Sequence, residues 1–387
     1  MPRFKEYASF AAQYLTYRLL YPFVRMDDRQ VLFVANSRTA LDGNQKAMDA
    51  VIDPHDYRKV YYLKKDGVDM NAWSEKRRLI RLLLRSKYVL LQYENPTISL
   101  MKRRPGQVVC QLWHGPGAMK RIGTARTDMH RGRLRSNFTH RNYTMALETS
   151  EADRPILAAA FNMDVKDIHA VGYPRTDVFF DPDARQALAA KVLANYPLLQ
   201  GRKVVLFAPT FRGSRVTQAH YDYAKLDLDY IHEQLGKEYV FVIKWHPAMR
   251  QYDPSLPDFA RQAARHPDFY LDLTSYPDIN ELMMVSDVLV TDYSSALFEF
   301  ALLDRPIVLY PYDLGEYLAG RGFNYPYEDY DTGAIAHDCR QLVAAIKAGH
   351  IDQAKRQAFI QRFMSACDGH ATQRTCQLIF GPREAAR

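Results

Sequence analysis

A chain of 387 residues, 47% apolar and 25% charged, has the size of two domains and the composition of a soluble globular protein with a proper core. Its four cysteines (Cys110, Cys339, Cys367, Cys376) stand far apart with no CxxC pair, which indicates neither a zinc site nor a disulfide framework and fits a reducing cytoplasm. The formal charge is +8, no charged-then-apolar leader opens the sequence and no 18-residue apolar run occurs, so the expectation is a protein neither secreted by that route nor membrane-spanning.

The first predicted element is a helix over 4–24, stopped by Pro22, in which Phe4, Tyr7, Ala8, Ala11, Tyr14, Leu15 and Leu19 recur at helical spacing. With Lys5, Arg18 and Arg25 among its tyrosines, it suits a lipid headgroup boundary and equally a packing role between domains. From Gln30 the pattern becomes β–α alternation: strand Val31–Ala35, helix Asn44–Ile52, strand Lys59–Leu63. A helix over 74–87 puts Arg77, Arg81 and Arg85 on one face and Leu79, Ile80, Leu82, Leu83 and Leu84 on the other, as a second membrane contact or a surface helix over a sheet. Strands over 88–92, 108–112, 143–147 and 169–171 follow, with a helix near 154–161.

Between Met101 and Arg141 stand ten basic residues (Lys102, Arg103, Arg104, Lys120, Arg121, Arg126, Arg131, Arg133, Arg135, Arg141) against one acid, Asp128. Such a patch attracts phosphate groups, unless it is a solvated basic loop. Prolines at 174, 182 and 197 mark a connection over 173–200 that holds a helix. Beyond it the predicted strands are 204–208, 239–244, 269–271, 288–290 and 307–310. The predicted helices are 228–235, 258–265, 279–285, one from Ala296, then 335–348, 353–366 and 370–380. Alternation throughout predicts an α/β fold of two halves with parallel sheets, the ligand lying in the cleft between them at the carboxyl ends of the strands. Neither GxGxxG nor GxxxxGK[ST] occurs, which argues against a dinucleotide-dependent oxidoreductase or a P-loop NTPase.

Four short segments follow predicted strands directly. Trp113-His114-Gly115 leads into a loop carrying Lys120 and Arg121; its imidazole either faces a cleft or is a hydrogen-bonded structural His. Thr210 and Arg212 end the second segment, and Lys244 and His246 belong to the third. Asp292, Ser294 and Ser295 form the fourth, at a helix N-terminus whose free N–H groups favour an anion, although a Ser there also serves as a simple N-cap. Arg175, in the inter-domain connection, offers a bidentate phosphate or carboxylate contact, or a turn with Asp177. Together these groups are the equipment for holding a diphosphate and deprotonating an alcohol. The histidines show no HExxH spacing and the chain no DxD pattern at them, so no metal ligand set is expected. No cofactor is required by the sequence, and a divalent metal is left open.

WHG followed by a basic loop, then GYPRTD, APTFR, KWHP and TDYSSALFEFALLDRPIVLYPYDLGEY, in this order, resemble the CDP-glycerol glycerophosphotransferase family of teichoic-acid synthesis from about Gln30 to about Glu328. The resemblance implies a GT-B-like fold of two Rossmann-type domains and transfer of glycerol phosphate from CDP-glycerol to a polyprenyl-linked saccharide acceptor, with CDP-ribitol or a nucleotide-sugar as alternative donors. It implies His114 as the base on the acceptor hydroxyl and His246, Ser294 and Ser295 on the donor phosphates. Thr210, Arg212 and Lys244 would lie near the donor, and Asp292 would orient one of these groups. Lys120, Arg121 and Arg175 are the further candidates for phosphate or acceptor contact. The expected division is 1–178 (acceptor- and membrane-facing), 179–355 (CDP-donor-binding) and 356–387 (C-terminal helices that pack back on the first part). The expected partners are the donor, the lipid-linked acceptor and the anionic inner face of the plasma membrane, with no nucleic acid. A non-catalytic basic module that binds membrane or nucleic acid is the alternative from another class.

Overall fold

The computed structural model describes residues 2–123 and 140–381, with side chains from Tyr7 onward. The first lobe holds a parallel sheet of β1 (Asp27–Ala35), β2 (Arg58–Leu63), β3 (Ser86–Leu91), β4 (Val108–Gln111), β5 (Met145–Glu148) and β6 (Ile168–Ala170), in the order β2-β1-β3-β4-β5-β6. The second holds β7 (Lys203–Phe207), β8 (Tyr239–Ile243), β9 (Tyr270–Asp272), β10 (Val288–Thr291), β11 (Ile307–Leu309) and β12 (Ala334–Ile335), in the order β12-β11-β10-β7-β8-β9. Helices cover both faces, so the central strands are buried on both sides and read as continuous apolar runs; Tyr239–Ile243 and Val288–Thr291 are buried at every position. Strand order reverses between β1 and β3 in one sheet and between β7 and β10 in the other, and the crevices at those carboxyl ends are where such sheets hold ligands.

Most predicted elements appear within a few residues of their expected bounds. At 335 the structure departs from expectation: Ala334–Ile335 pairs beside β11, and the helix begins at Cys339, where the Asp338 carboxylate accepts from the Gln341 N–H at 2.8 Å. A bound carboxylate at the N-cap decides the start better than the apolar spacing before it. Short helices at Pro96–Leu100, Pro247–Tyr252 and Leu314–Gly320 were not foreseen.

The N-terminal helix Pro2–Leu20 buries Gln13 and Tyr17 against the lobe, Gln13 Oε1 accepting from Thr97 Oγ1 at 2.7 Å. Leu15 (60% exposed), Leu19 (63%) and, beyond the helix, Phe23 (86%) are left outside. Tyr17 joins the core of the lobe and Leu20 packs against it, so the helix carries apolar residues on its outer face as well as its inner one. On the neighbouring helix Trp73–Arg85, Arg77, Arg81 and Arg85 are exposed while Leu79, Ile80, Leu83 and Leu84 are buried, as predicted.

The chain crosses between the lobes twice. It first passes through 171–203, then returns after the helix Gln353–Phe363, whose Phe359 and Phe363 pack in the second lobe. The last helix, Ala371–Phe380, lies on the first lobe with the Phe380 ring 4.5 Å from Tyr57 and 4.8 Å from Tyr88. Its first N–H groups, at Ala371 and Thr372, donate to the Asp177 carboxylate at 2.9 and 2.8 Å. Asp177 therefore caps this helix rather than closing a turn on Arg175.

Candidate active site

A cavity of about 780 Å³ opens between the lobes, lined by His114 and Lys120 from the first and by Thr210, His246, Ser294 and Ser295 from the second. His114 follows β4 on a backbone held out of its ordinary conformation, Trp113 having φ +53°. A bulky residue in that region costs about 1–2 kcal/mol and persists only where its surroundings fix it. Here the buried Asn44 does so, its amide donating to the Leu112 carbonyl at 3.0 Å and the Trp113 carbonyl at 2.9 Å. The Trp113 ring packs edge-on to Phe161 at 4.9 Å. The imidazole of His114 lies between Tyr93 and Trp113, with ring centroids 4.6 and 4.4 Å away, and its Nδ1 is 2.9 Å from the Gln92 carbonyl at the end of β3.

A carbonyl oxygen only accepts, so Nδ1 of His114 carries the proton and Nε2 keeps its lone pair. Burial, with the charges of Arg175 and Arg38 adding to it, lowers the pKa from 6.5 to about 4, so the ring is neutral at pH 7. His246 is arranged the other way. Its Nδ1 accepts from the Ala248 N–H at 3.1 Å at the start of Pro247–Tyr252, so the neutral ring carries its proton on Nε2. Desolvation in the cleft and the charges of Lys120, Arg38 and Lys244 lower its pKa to about 4 as well. One imidazole is thus an acceptor at Nε2 and the other a donor.

The turn after β10 supplies the opposite wall. Asp292, buried, accepts from the Thr210 N–H at 2.7 Å and from Arg212 Nη1 at 2.7 Å, which ties the β10 turn to the β7 turn across the reversal point. Ser294 Oγ accepts from the Ala296 N–H at 3.3 Å, so the N-cap reading applies to it, and Ser295 makes no cap bond with its side chain; both line the cavity. Lys120 donates to Thr210 Oγ1 at 3.2 Å, bridging the lobes at the cavity rim.

Arg212 lines the cavity, as expected of a group near the donor, whereas Arg175, Lys244 and Arg121 stand outside the lining. At that wall the Arg212 guanidinium is held by Asp292, by Asp313 at 2.5 and 2.7 Å and by the Thr210 carbonyl, close to the rings of Tyr293 and Tyr312, so it braces the site from the lining. Arg175 is taken by Glu299 at 2.6 and 3.0 Å and does not line the cavity. Lys244 donates to the Thr274 carbonyl at 2.9 Å, behind the wall, and its desolvation lowers its pKa to about 8. Arg121 is exposed beside Gly322, outside the lining. Of the basic patch, Arg126, Arg131, Arg133 and Arg135 lie outside the described residues. Residues that sequence reasoning missed include Asn44, Gln92, Asp313 and Tyr317; only the last two belong to a quoted motif, as the first and last residues of the DLGEY stretch. Among the described residues no cluster of His, Cys, Asp or Glu is arranged to hold a metal ion.

The sequence model for CDP-Glycerol:Poly(glycerophosphate) glycerophosphotransferase matches residues 15–381. A teichoic acid poly(ribitol-phosphate) polymerase of Bacillus spizizenii is 34% identical over 357 residues, 92% of this chain but 56% of that protein, so the chain spans little more than half its length. A teichoic acid ribitol-phosphate primase of the same species is 36% identical over 305 residues, 77% of this chain and 74% of the relative. Among solved structures, that of the wall teichoic acid polymerase TagF superposes with a TM-score of 0.76 at 24% identity, covering 94% of this chain and 92% of that one, a likeness that concerns the fold. With a match running through both sheets and all five quoted motifs, the chain belongs to the CDP-glycerol:poly(glycerophosphate) glycerophosphotransferase family.

Proposed function

We propose that this chain transfers glycerol phosphate from CDP-glycerol to a hydroxyl of a polyprenyl-diphosphate-linked acceptor in teichoic-acid or related polymer synthesis, releasing CMP. The observation that carries the reading is the single cavity with His114 on one wall and His246, Thr210, Ser294 and Ser295 on the other. The acceptor hydroxyl gives its proton to Nε2 of His114 as its oxygen attacks the β-phosphorus of the donor. The bond from that phosphorus to the bridging oxygen breaks, and CMP leaves with the electron pair. His246 Nε2–H and the serine turn bind the diphosphate, whose negative charge raises the pKa of His114 and strengthens it as a base. Positioning and charge stabilisation supply most of the acceleration, as in phosphoryl transfer generally.

In the same proposal 1–178 faces acceptor and membrane, 179–355 holds the donor, and of 356–387 only the last helix, Ala371–Phe380, completes the first lobe, Phe359 and Phe363 packing in the second. No helix among the described residues is long and apolar enough to cross a membrane. The exposed Leu15, Leu19 and Phe23, beside the arginines of Trp73–Arg85, form the surface that would rest on the anionic cytoplasmic face of the membrane.

CDP-ribitol is the second reading, favoured by identities of 34% and 36% to the ribitol-phosphate polymerase and primase against 29% to a teichoic acid glycerol-phosphate transferase of Staphylococcus aureus. Incubation with each CDP-polyol and a synthetic lipid-linked disaccharide, read by CMP release and product size, decides between them. His114→Ala should abolish CMP release while donor binding persists; near wild-type turnover in that variant would remove the base.

A further inference from the structure

Arg175 sits in the turn that follows β6, at the seam between the lobes. Its Nε donates to Glu299 Oε1 at 2.6 Å and its Nη2 to Glu299 Oε2 at 3.0 Å, so the pair is bidentate. The same Nη2 donates to the backbone carbonyl of His114 at 2.9 Å. Its own N–H donates to Asn44 Oδ1 at 3.1 Å, and Asn44 is the residue that holds the Trp113 carbonyl. Glu299 belongs to Ala296–Phe300, directly after the serine turn, and is kept in place by Asn280 Nδ2 at 3.1 Å. Glu299 is 3% exposed and Arg175 17%, so the contact is largely desolvated and removal of either partner would leave an uncompensated buried charge.

We propose that Arg175 is a positioning residue for the transfer reaction: clamped to Glu299 of the donor lobe and donating to the His114 carbonyl, it sets the distance between the base and the serine turn. The inference rests on the proposed function for its kinetic reading, but not for its structural one. A base and a phosphate site carried on different lobes need a rigid gauge between them, because a displacement of about 1 Å between reacting groups can cost roughly a hundredfold in rate. Beside the packing of Gly117 on Phe298, the Arg175–Glu299 pair is a direct polar link between the backbone of residue 114 and the helix after Ser295. The charge of Arg175 also reaches the imidazole. The groups facing His114 are the Gln92 carbonyl, Tyr93, Trp113, Arg38 (itself paired with Asp42 at 3.2 Å) and Arg175.

The test uses Arg175→Gln, Glu299→Gln and the double variant in the full-length protein. It reads kcat and KM for the CDP-polyol that wild type uses, and the titration of His114 by imidazole NMR. Both single variants should lower kcat about 10- to 100-fold with donor KM within about twofold. Their His114 titrations should move in opposite directions: upward where the cation is lost, downward where it is left unpaired. The double variant should titrate near wild type and melt above either single variant, since no lone buried charge remains. Parallel loss of stability with an unmoved His114 titration and unmoved kcat per folded molecule would overturn the proposal, leaving the pair a plain structural tie. Absence of CMP release by wild type with either donor would sink the proposed function instead, while the NMR titration would still judge the clamp.

Discussion

At Nδ1, His114 meets a carbonyl oxygen and His246 an amide N–H, and these two neighbours choose which tautomer each ring presents. An unfolded imidazole titrates near pH 6.5, and burial lowers that of folded His114 to about 4. Between those values the unfolded chain binds more protons, so stability is lost as pH falls. The melting temperature should therefore drop from pH 6.5 towards pH 4, and His114→Gln should flatten part of that slope; equal slopes in the two proteins would mean the imidazole is not held neutral. Asn44→Ala removes a partner from three buried backbone groups and should cost about 3 kcal/mol, with kcat falling further than folding alone explains. Urea unfolding beside turnover at saturating donor checks both halves. His114, His246, Thr210, Ser294 and Ser295 were legible because each follows a strand at a carboxyl end, a place that local pattern reveals. The fates of Arg175, Arg212 and Lys244 were not, because their partners Glu299, Asp313 and Thr274 stand in distant stretches of chain. A cation in a motif looks the same whether it awaits a ligand or has already found a carboxylate.

The loop from Gly115 to Arg121 belongs to the first lobe by sequence and is built largely by the second. Lys120 pairs with Phe323 as an antiparallel bridge, the Asn324 N–H donates to the Met119 carbonyl at 3.0 Å and its side chain to Ala118 O at 2.6 Å. Met119 is 3% exposed inside the second lobe's core, which contributes about 1.5–3 kcal/mol to holding the lobes together. Gly117, at φ +73°, packs so tightly on Phe298 that a Cβ would stand 1.9 Å from the ring. Gly117→Ala combines a left-handed alanine with a clash and should destabilise by about 3 kcal/mol or more. Phe298→Ala empties a fully buried site and is itself costly, so the double variant should lose less stability than the two single changes summed; strict additivity would contradict the packing described. Elements of this kind mark the limit of pattern reading. The strands and longer helices announce themselves by apolar spacing, whereas β12 and the short helix Leu314–Gly320 exist because a sheet edge and a cavity wall from elsewhere accept them.

Across the whole molecule the α/β class and the pair of parallel sheets followed from strand–helix alternation, whereas the return of the C-terminal helices to the first part came from the family resemblance, and the structure places only Ala371–Phe380 there. The outward apolar face of the first helix has a measurable consequence at this scale. Replacing Leu15, Leu19 and Phe23 together by Glu removes most of the exposed apolar surface there and adds charge that anionic lipid repels. Flotation with vesicles containing anionic lipid should fall by about tenfold or more, while turnover on a detergent-soluble acceptor stays near wild type; unchanged flotation would place the membrane contact elsewhere. The two crossings between the lobes run side by side: the Ala366 N–H donates to the Thr149 carbonyl at 2.9 Å, a Cβ on Gly172 would stand 2.2 Å from the Ala366 carbonyl, and Arg374 donates to the Val171 carbonyl at 3.1 Å. Two adjacent strands of backbone act as an axle. Two crossings tied together along one line favour, for any opening of the cleft, rotation of one lobe about that line over sliding of one lobe past the other.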